Sequence, residues 1–134
     1  MNNSLNNPLS KPTRPRRLTF PRHRRLRSGL DFERIYGLKQ KIADGKLVIF
    51  AARNECGLTR IGLSVSRRHG NSVLRHRLRR LLREAYRLEQ HRIPEGLDLI
   101  LIPGRGSNLA TQQDYRDSIV RLTGRLVRKF FQGL

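Results

Sequence analysis

The residues best suited to chemistry in this sequence are basic side chains spaced along one predicted helix, residues 71–88. At about 100° per residue, its leucines fall in one apolar arc and its basic residues occupy most of the remaining circumference. The basic residues are Arg75, His76, Arg77, Arg79, Arg80, Arg83 and Arg87. Guanidinium groups donate paired hydrogen bonds to phosphate oxygens. This face is therefore predicted to bind a polyanion.

A charged helical face is often only a solvated surface, and that alternative applies here. Solvated faces usually mix charges of both signs, which limits repulsion between neighbouring side chains. In this helix Glu84 is the only acid, and Arg67 and Arg68 extend the basic surface just before it. The repulsion is left largely unrelieved, which favours a bound polyanion over plain solvation.

Catalysis by the protein's own side chains finds little support in the sequence. A metal-dependent nuclease needs clustered carboxylates, but the acidic residues are dispersed and only Glu84 lies on the basic helix. A metal-free ribonuclease would need paired histidines, or a histidine with a lysine and an acid. The four histidines show no such grouping in sequence, although folding could still assemble one. We therefore predict no catalytic residue and no metal site in the protein.

Positive charge extends beyond the helix to the whole chain. The chain has 134 residues, with 29 Lys and Arg against 10 Asp and Glu, and 24 of those cations are arginines. An anionic membrane surface is a rival partner, but it would require an amphipathic helix with Trp or Phe on the apolar face. The chain has no Trp, no stretch near the ~20 apolar residues of a membrane span, and no apolar run typical of a secretory signal. We expect a cytoplasmic protein.

The basic helix lies within a chain that we divide into a disordered basic arm, residues 1–17, and one domain, residues 18–134. The arm is rich in Asn, Ser and Pro and has little to bury. Apolar runs and period-two alternation predict strands at 46–53, 60–67 and 97–104, and helical spacing predicts further helices at 28–38 and from 111 onward. This order predicts a small α/β sheet with a βαβ unit around the basic helix.

The neighbouring strands also bear on a second rival, DNA recognition by a helix-turn-helix. That motif needs a second helix joined by a short turn, whereas this helix is flanked by predicted strands. Direct base readout also favours side chains near a helix N-terminus, and here the cations run the full length. A full-length cationic arc suits phosphate contact and shape recognition, as in RNA binding.

Two segments of the chain carry the pattern of a known family. Residues 60–88 read RIGLSVSRRHGNSVLRHRLRRLLREAYRL, and residues 20–36 read FPRHRRLRSGLDFERIY. Both resemble the bacterial ribonuclease P protein component, which joins a GLSVS-type strand through a Gly-Asn turn to an arginine-rich helix. The likeness spans about residues 18–130. The usual Arg-Asn-Arg triplet of the family reads Arg75-His76-Arg77 here.

The resemblance implies a fold that pattern alone does not reach. Members of the family form an α/β sandwich, also classed as an α+β fold, in which helices pack on a small four-stranded mixed sheet. This fold is of the ribosomal protein S5 domain 2-like type. Their βαβ crossover is left-handed, against the general rule for such units.

The resemblance also implies a division of labour between an RNA and the protein. A large RNA binds Mg²⁺ and hydrolyses precursor tRNA to leave the mature 5′ end, and the protein subunit binds that RNA and the single-stranded 5′ leader. The expected partners are therefore ribonuclease P RNA and precursor tRNA, with no small-molecule substrate.

The resemblance assigns expected contacts to individual residues. The residues expected to face the catalytic RNA are Arg67, Arg68, Asn71, Arg75, His76, Arg77, Arg79, Arg80 and Arg83. The residues expected to line the leader cleft are Phe32, Tyr36 and Phe50. From pattern alone, core packing of these three aromatic residues is at least as good an explanation. A ribosomal or RNA-chaperone binding module remains the second hypothesis, which the charge supports equally and the motif does not.

Overall fold

The computed structural model describes residues 20–105 and 109–132 as a four-stranded mixed sheet with three helices. The predicted arm, residues 1–17, lies outside the described residues. The elements in chain order are α1 (Gly29–Gly37), β1 (Lys41–Ala43), β2 (Leu47–Arg53), β3 (Arg60–Leu63), α2 (Ser72–Glu89), β4 (Leu97–Pro103) and α3 (Gln112–Phe130). Short 3₁₀ turns at Arg22–Arg24, Arg67–His69 and Gln90–Arg92 complete the chain trace.

The sheet has the strand order β1-β2-β4-β3. Strand β2 pairs antiparallel with β1 and β4, and β3 pairs parallel with β4, so α2 connects two parallel neighbours as predicted. Strand β3 ends at Leu63, earlier than predicted, because the chain turns into the 3₁₀ segment that precedes α2. The pattern did not predict β1, whose three residues are too few to show a period.

The two faces of the sheet bury different side chains, as the period of two requires. Leu47, Ile49 and Ala51 of β2 pack with α2 and α3 in the larger core. On the opposite face, Ala52 belongs to a smaller core under α1, with Ile35 at its centre. Every residue of β4 is buried because this central strand is covered on both faces. Helix α1 therefore occupies one face alone, and α2 and α3 share the other.

The hydrogen bonds fix the hand of the crossover. When a strand runs upward and an L-residue points its side chain at the viewer, its N–H and C=O point to the right. Leu101 points into the α2–α3 core, and its carbonyl accepts a hydrogen bond of 3.0 Å from the N–H of Ser64, just after β3. Seen from the α2 side, β3 therefore lies to the right of β4. The path from β3 through α2 to β4 runs to the left, so the crossover is left-handed, against the general rule.

Gly62 of β3 sets the distance between α1 and the sheet. The ring of Phe32 lies directly on Gly62, because a Cβ at position 62 would lie 2.5 Å from Phe32 Cζ. Any larger residue would displace this ring from the sheet. The absence of a side chain at position 62 thus makes room for an aromatic ring of α1.

A buried carboxylate, Asp98 of β4, ties α1 to the sheet. Arg60 of β3 donates two hydrogen bonds of 2.8 Å to it, Arg34 of α1 donates one of 2.5 Å, and Asn54 donates one of 2.9 Å. The Asp98 side chain is fully buried. Burial alone would raise its pKa, but the hydrogen bonds from Arg60, Asn54 and Arg34 outweigh burial and hold the pKa below its usual value.

We predict that Asp98→Asn lowers the free energy of unfolding at pH 7 by about 2–3 kcal/mol, because it removes the acceptor of a buried ionic network. The lowered pKa means that the wild-type network contributes fully above the unfolded-state pKa of 3.8 and is lost as the pH falls below it. Urea denaturation at pH values from about 7 to about 3 spans this titration. The free energy of unfolding should fall with acid in the wild type and fall less in the variant.

Asp31→Asn is the matched control, since Asp31 also contacts Arg34, at 3.3 Å, but from the partly exposed surface of α1. Little change is expected for such an ion pair. Equal destabilisation by the two substitutions would contradict the role given to Asp98.

Candidate nucleic-acid interface

Either Asn71 or Ser72 could cap helix α2 by residue type, and in the structure the cap is Asn71. The Asn71 side-chain oxygen accepts a hydrogen bond of 2.9 Å from the N–H of Leu74, and the helix starts at the next residue, Ser72. Asn71 is exposed, so its amide nitrogen still faces solvent. The first turn of a helix also carries partial positive charge. The beginning of α2 therefore adds to the positive potential that its arginines create.

The predicted cationic residues of α2 differ in how far solvent reaches them. His76, Arg77 and Arg80 are exposed, whereas Arg75, Arg79 and Arg83 are half-buried. The residues Arg67 and Arg68, in the 3₁₀ turn before α2, are also exposed.

Some of these arginines already have structural contacts. Arg79 donates a hydrogen bond of 3.1 Å to the carbonyl of Val65 and so fastens α2 to the segment after β3. Arg87 is held by Glu84 through two hydrogen bonds of 2.8 and 2.9 Å. Within the described ranges, the buried Nε of Arg75 has no hydrogen-bond partner. The strongest candidates for an external anion are therefore the exposed residues, with Arg75 beside them.

His76, Arg77 and Arg80 line a shallow groove of about 480 Å³ between α2 and the start of α3. The remaining lining residues are Val73, Leu81, Glu84 and Gln112. We call this the helix groove. Its basic side comes from consecutive turns of α2, which places three donors along one edge.

The three predicted leader residues lie together on the α1 face of the sheet. The rings of Phe32 and Tyr36 are 6.3 Å apart, and those of Tyr36 and Phe50 are 4.9 Å apart in an edge-to-face arrangement. All three are half-buried and pack against the smaller core. Lys41 of β1 places its ammonium 5.7 Å from the centre of the Phe50 ring. The cluster thus supports the α1 face and still presents ring surface to solvent.

A larger groove of about 820 Å³ opens beside Phe50, beyond the end of α1. We call this the sheet groove. Its lining residues are Lys41, Val48, Phe50, Arg68, His69, Gly70, Leu74, Ile102, Pro103, Gly104 and Arg105. Apolar side chains of β2 and β4 form the floor, and Lys41, Arg68 and Arg105 supply positive charge. The groove therefore joins the aromatic cluster to the basic segment before α2.

His69 holds one wall of the sheet groove in place. Its Nδ1 accepts a hydrogen bond of 2.9 Å from the N–H of Ser66, and its ring also bonds to the carbonyl of Pro103. Burial and the charge of Arg68 lower the pKa of His69. A neutral ring suits this position because a protonated Nδ1 could not accept from Ser66. His69 is therefore a structural link between the turn and β4. The sequence alone does not show this role, because Pro103 is distant from His69 along the chain.

On the helical projection Tyr86 falls near the edge of the cationic face, where its ring could either stack or pack, and the structure shows that it packs. Its side chain is buried, with the ring 5.3 Å from that of Phe20 and its hydroxyl 3.4 Å from Arg24. Burial raises the pKa of the Tyr86 hydroxyl. The N-terminal segment that covers Tyr86 is distant in sequence, so a periodic pattern could not show this contact.

The described acids do not form a catalytic or metal centre. Among residues 20–105 and 109–132, no three His, Cys, Asp or Glu side chains come together as metal ligands could. Asp44, Glu89 and Asp98 are instead each bound by arginine. Within the same residues, no helix has the length and apolar character needed to cross a bilayer.

Comparisons with known proteins agree with this geometry. The ribonuclease P family model matches residues 20–127. The ribonuclease P protein component of Clostridioides difficile (strain 630) is 36% identical over 109 residues, which cover 81% of this chain and 96% of that relative. The solved RNase P protein of Thermotoga maritima superposes with a TM-score of 0.70 at 27% identity, covering 75% of this chain and 96% of that one.

A second solved structure comes from Staphylococcus aureus. It is an RNase P protein mutant described as having defective mRNA degradation activity. Its TM-score is 0.67 at 26% identity, over 80% of this chain and 87% of that one.

Proposed function

The chain belongs to the ribonuclease P protein family, and on that premise we propose that it is the protein subunit of a ribonuclease P holoenzyme. In this proposal it binds the catalytic RNA and the 5′ leader of precursor tRNA. The RNA subunit supplies the catalysis that removes the leader and leaves the mature 5′ end of the tRNA.

One observation carries the proposal: Arg68, an exposed cation just before α2, and Phe50, an aromatic residue of β2, line the same groove. His76, Arg77 and Arg80 lie on α2, which begins at the end of that groove. A protein that holds the catalytic RNA and its substrate together needs two adjacent RNA-binding surfaces, and this arrangement supplies them.

The exposed basic face of α2 suits a folded RNA. Arg77 and Arg80 are exposed on one side of α2, where guanidinium groups can fork onto phosphates of an RNA backbone. His76 stands where the family usually has Asn, and its ring nitrogens can each donate or accept only one hydrogen bond. We assign this face, with Arg67, Arg68, Asn71, Arg75, Arg79 and Arg83 around it, to the catalytic RNA.

The sheet groove suits an unpaired RNA strand. Bases stack on aromatic rings with little demand on their sequence, and a general processing enzyme must accept leaders of different sequence. Phe50 lines the sheet groove and Tyr36 packs edge-to-face against its ring, while Phe32 lies over Gly62. We therefore assign base stacking to Tyr36 and Phe50 and give Phe32 the role of positioning α1.

The catalytic Mg²⁺ ions of this proposal are held by the RNA subunit, where they supply the charge for hydrolysis of the phosphodiester. Asp44, Glu89 and Asp98 of this chain bind arginines, and no three described His, Cys, Asp or Glu side chains are grouped as a cation site would require. A cytoplasmic location also belongs to the proposal, since precursor tRNA and ribonuclease P RNA would meet there.

A second candidate is degradation of RNA by the protein itself. The Staphylococcus aureus mutant described by its defective mRNA degradation activity favours considering it. Among the described residues no three His, Cys, Asp or Glu side chains come together as metal ligands could, so a metal-dependent nuclease centre finds no support there. The other hypothesis, a ribosomal or RNA-chaperone module, is not favoured by the family match.

For the helix side, we predict that Arg77→Gln with Arg80→Gln weakens binding to ribonuclease P RNA and reduces its salt dependence. The slope of log affinity against log salt should fall by about 0.7–0.9 for each phosphate that the variant no longer binds. Filter binding across a series of salt concentrations measures this slope.

Arg22→Gln with Arg92→Gln provides the matched control for charge. Both residues are exposed, and neither lines the sheet groove or the helix groove. The double substitution removes two positive charges, as many as the test variant. The control should keep the wild-type slope. Identical slopes for all three proteins would show that Arg77 and Arg80 do not touch phosphate.

For the sheet side, we predict that Phe50→Leu reduces the holoenzyme's preference for precursor tRNA over mature tRNA by about tenfold, within the 1–3 kcal/mol range for one base–aromatic stack. Leucine retains an apolar side chain above the small core, so folding should be kept. Equilibrium competition between the two tRNAs measures the preference.

Phe20→Leu is the control, because Phe20 packs on Tyr86 at the opposite edge of the sheet. It should leave the preference unchanged. A preference that survives Phe50→Leu intact would remove the stacking role from the sheet groove.

A further inference from the structure

A third groove lies at the β1 edge of the sheet, on the side of α3. Its volume is about 530 Å³, and it is lined by Lys41, Ile42 and Ala43 of β1 and by Arg125, Arg128 and Lys129 of α3. We call this the edge groove. It is separate from α2 and belongs to none of the surfaces assigned above, apart from Lys41.

The edge groove concentrates like charges without an acid among its lining residues. Arg125, Arg128 and Lys129 are all exposed, and Arg125 lies three and four positions from the other two on α3, where like charges repel. Asp44, at the end of β1, is already bound by Ser118 at 2.7 Å and by Arg121. The edge groove is therefore a site of positive potential that the described protein does not neutralise.

Compensation of the helix dipole accounts for only part of this charge. Cations in the last turn of a helix interact favourably with its carbonyl end, and Arg128 and Lys129 are in the last turn of α3. Arg125 lies a turn earlier, and Lys41 comes from a different element. The convergence of α3 and β1 on one groove thus needs a further explanation.

Lys41 connects the edge groove to the sheet groove, since it lines both. Only β1, a strand of three residues, separates them. The β1–β2 hydrogen bonds flanking the strand involve Gln40 and Asp44. In an antiparallel pair, successive residues point their N–H groups alternately toward and away from the partner strand, so Lys41 and Ala43 point theirs away from β2. The N–H groups of Lys41 and Ala43 consequently point outward along the rim between the two grooves.

We propose that the edge groove binds the phosphate backbone of single-stranded RNA, namely the leader nucleotides upstream of those held in the sheet groove. This proposal rests on the proposed function, which places a leader in the sheet groove. The strand would pass over the β1 rim at Lys41 and continue along Arg125 and Arg128 of α3.

The chemistry of the edge groove indicates backbone contact rather than base recognition. Its lining has four cations and no aromatic ring, so it offers partners for phosphates and none for stacking. Contacts to phosphate carry no sequence information. The edge groove would thus strengthen binding of long leaders regardless of their sequence and leave short leaders unaffected.

The test uses the holoenzyme reconstituted with its RNA and precursor tRNAs whose leaders have about 4 or about 16 nucleotides, the limits of common single-strand site sizes. Arg125→Gln with Arg128→Gln should weaken binding of the long-leader substrate several-fold. The salt slope for that substrate should fall by about 0.7 for each leader phosphate that the variant no longer binds. Binding of the short-leader substrate should stay at the wild-type level.

The Arg22→Gln, Arg92→Gln protein is again the control for net charge, and it should bind both substrates like the wild type. Equal affinity of the wild type and the α3 variant for the long leader would overturn the proposal, and so would an equal loss of affinity for both leaders. If the affinity of the wild-type holoenzyme did not depend on the leader at all, the proposed function itself would be contradicted. The two failures are therefore distinguishable.

Discussion

The buried carboxylate of Asp98 is the interaction on which the working face of this protein depends. It accepts hydrogen bonds from three segments that are distant in sequence, through Arg34, Asn54 and Arg60. A buried charge is costly unless it is fully paired, so these donors must stay in place for the fold to persist. Because Arg34 belongs to α1, the network fixes this helix over the sheet and with it the aromatic cluster.

The second constraint is the unequal division of α2 between core and solvent. Leu78, Leu82 and Tyr86 are buried in the larger core, so the apolar face of the helix holds it in place. The charged face adds the hydrogen bond from Arg79 to Val65. Repulsion among the arginines therefore need not unfold the helix, and it remains available to be relieved by an anion. The burial that stabilises the helix and the exposed charge that we propose binds RNA lie on different sides of it, so each can change with little effect on the other.

The sequence predicted α2 and its neighbouring strands correctly because these features depend on local period and composition. It could not predict the Asp98 network, the His69 link or the edge groove, since each joins residues that only the tertiary fold brings together. The left-handed crossover came from family resemblance alone, because the general rule favours the opposite hand. The burial of Tyr86 likewise depends on a distant segment that covers it, which a helical projection could not show.

We propose that α2 binds the catalytic RNA and takes no part in the catalysis itself. Single-turnover cleavage of precursor tRNA, at a Mg²⁺ concentration too low for the RNA subunit alone, tests this most directly. The account predicts no cleavage by the protein alone and strong cleavage by the RNA with wild-type protein. With Arg77→Gln and Arg80→Gln, cleavage should return only at higher protein concentration. Cleavage by protein free of RNA, or full stimulation by that variant at the wild-type concentration, would contradict the account.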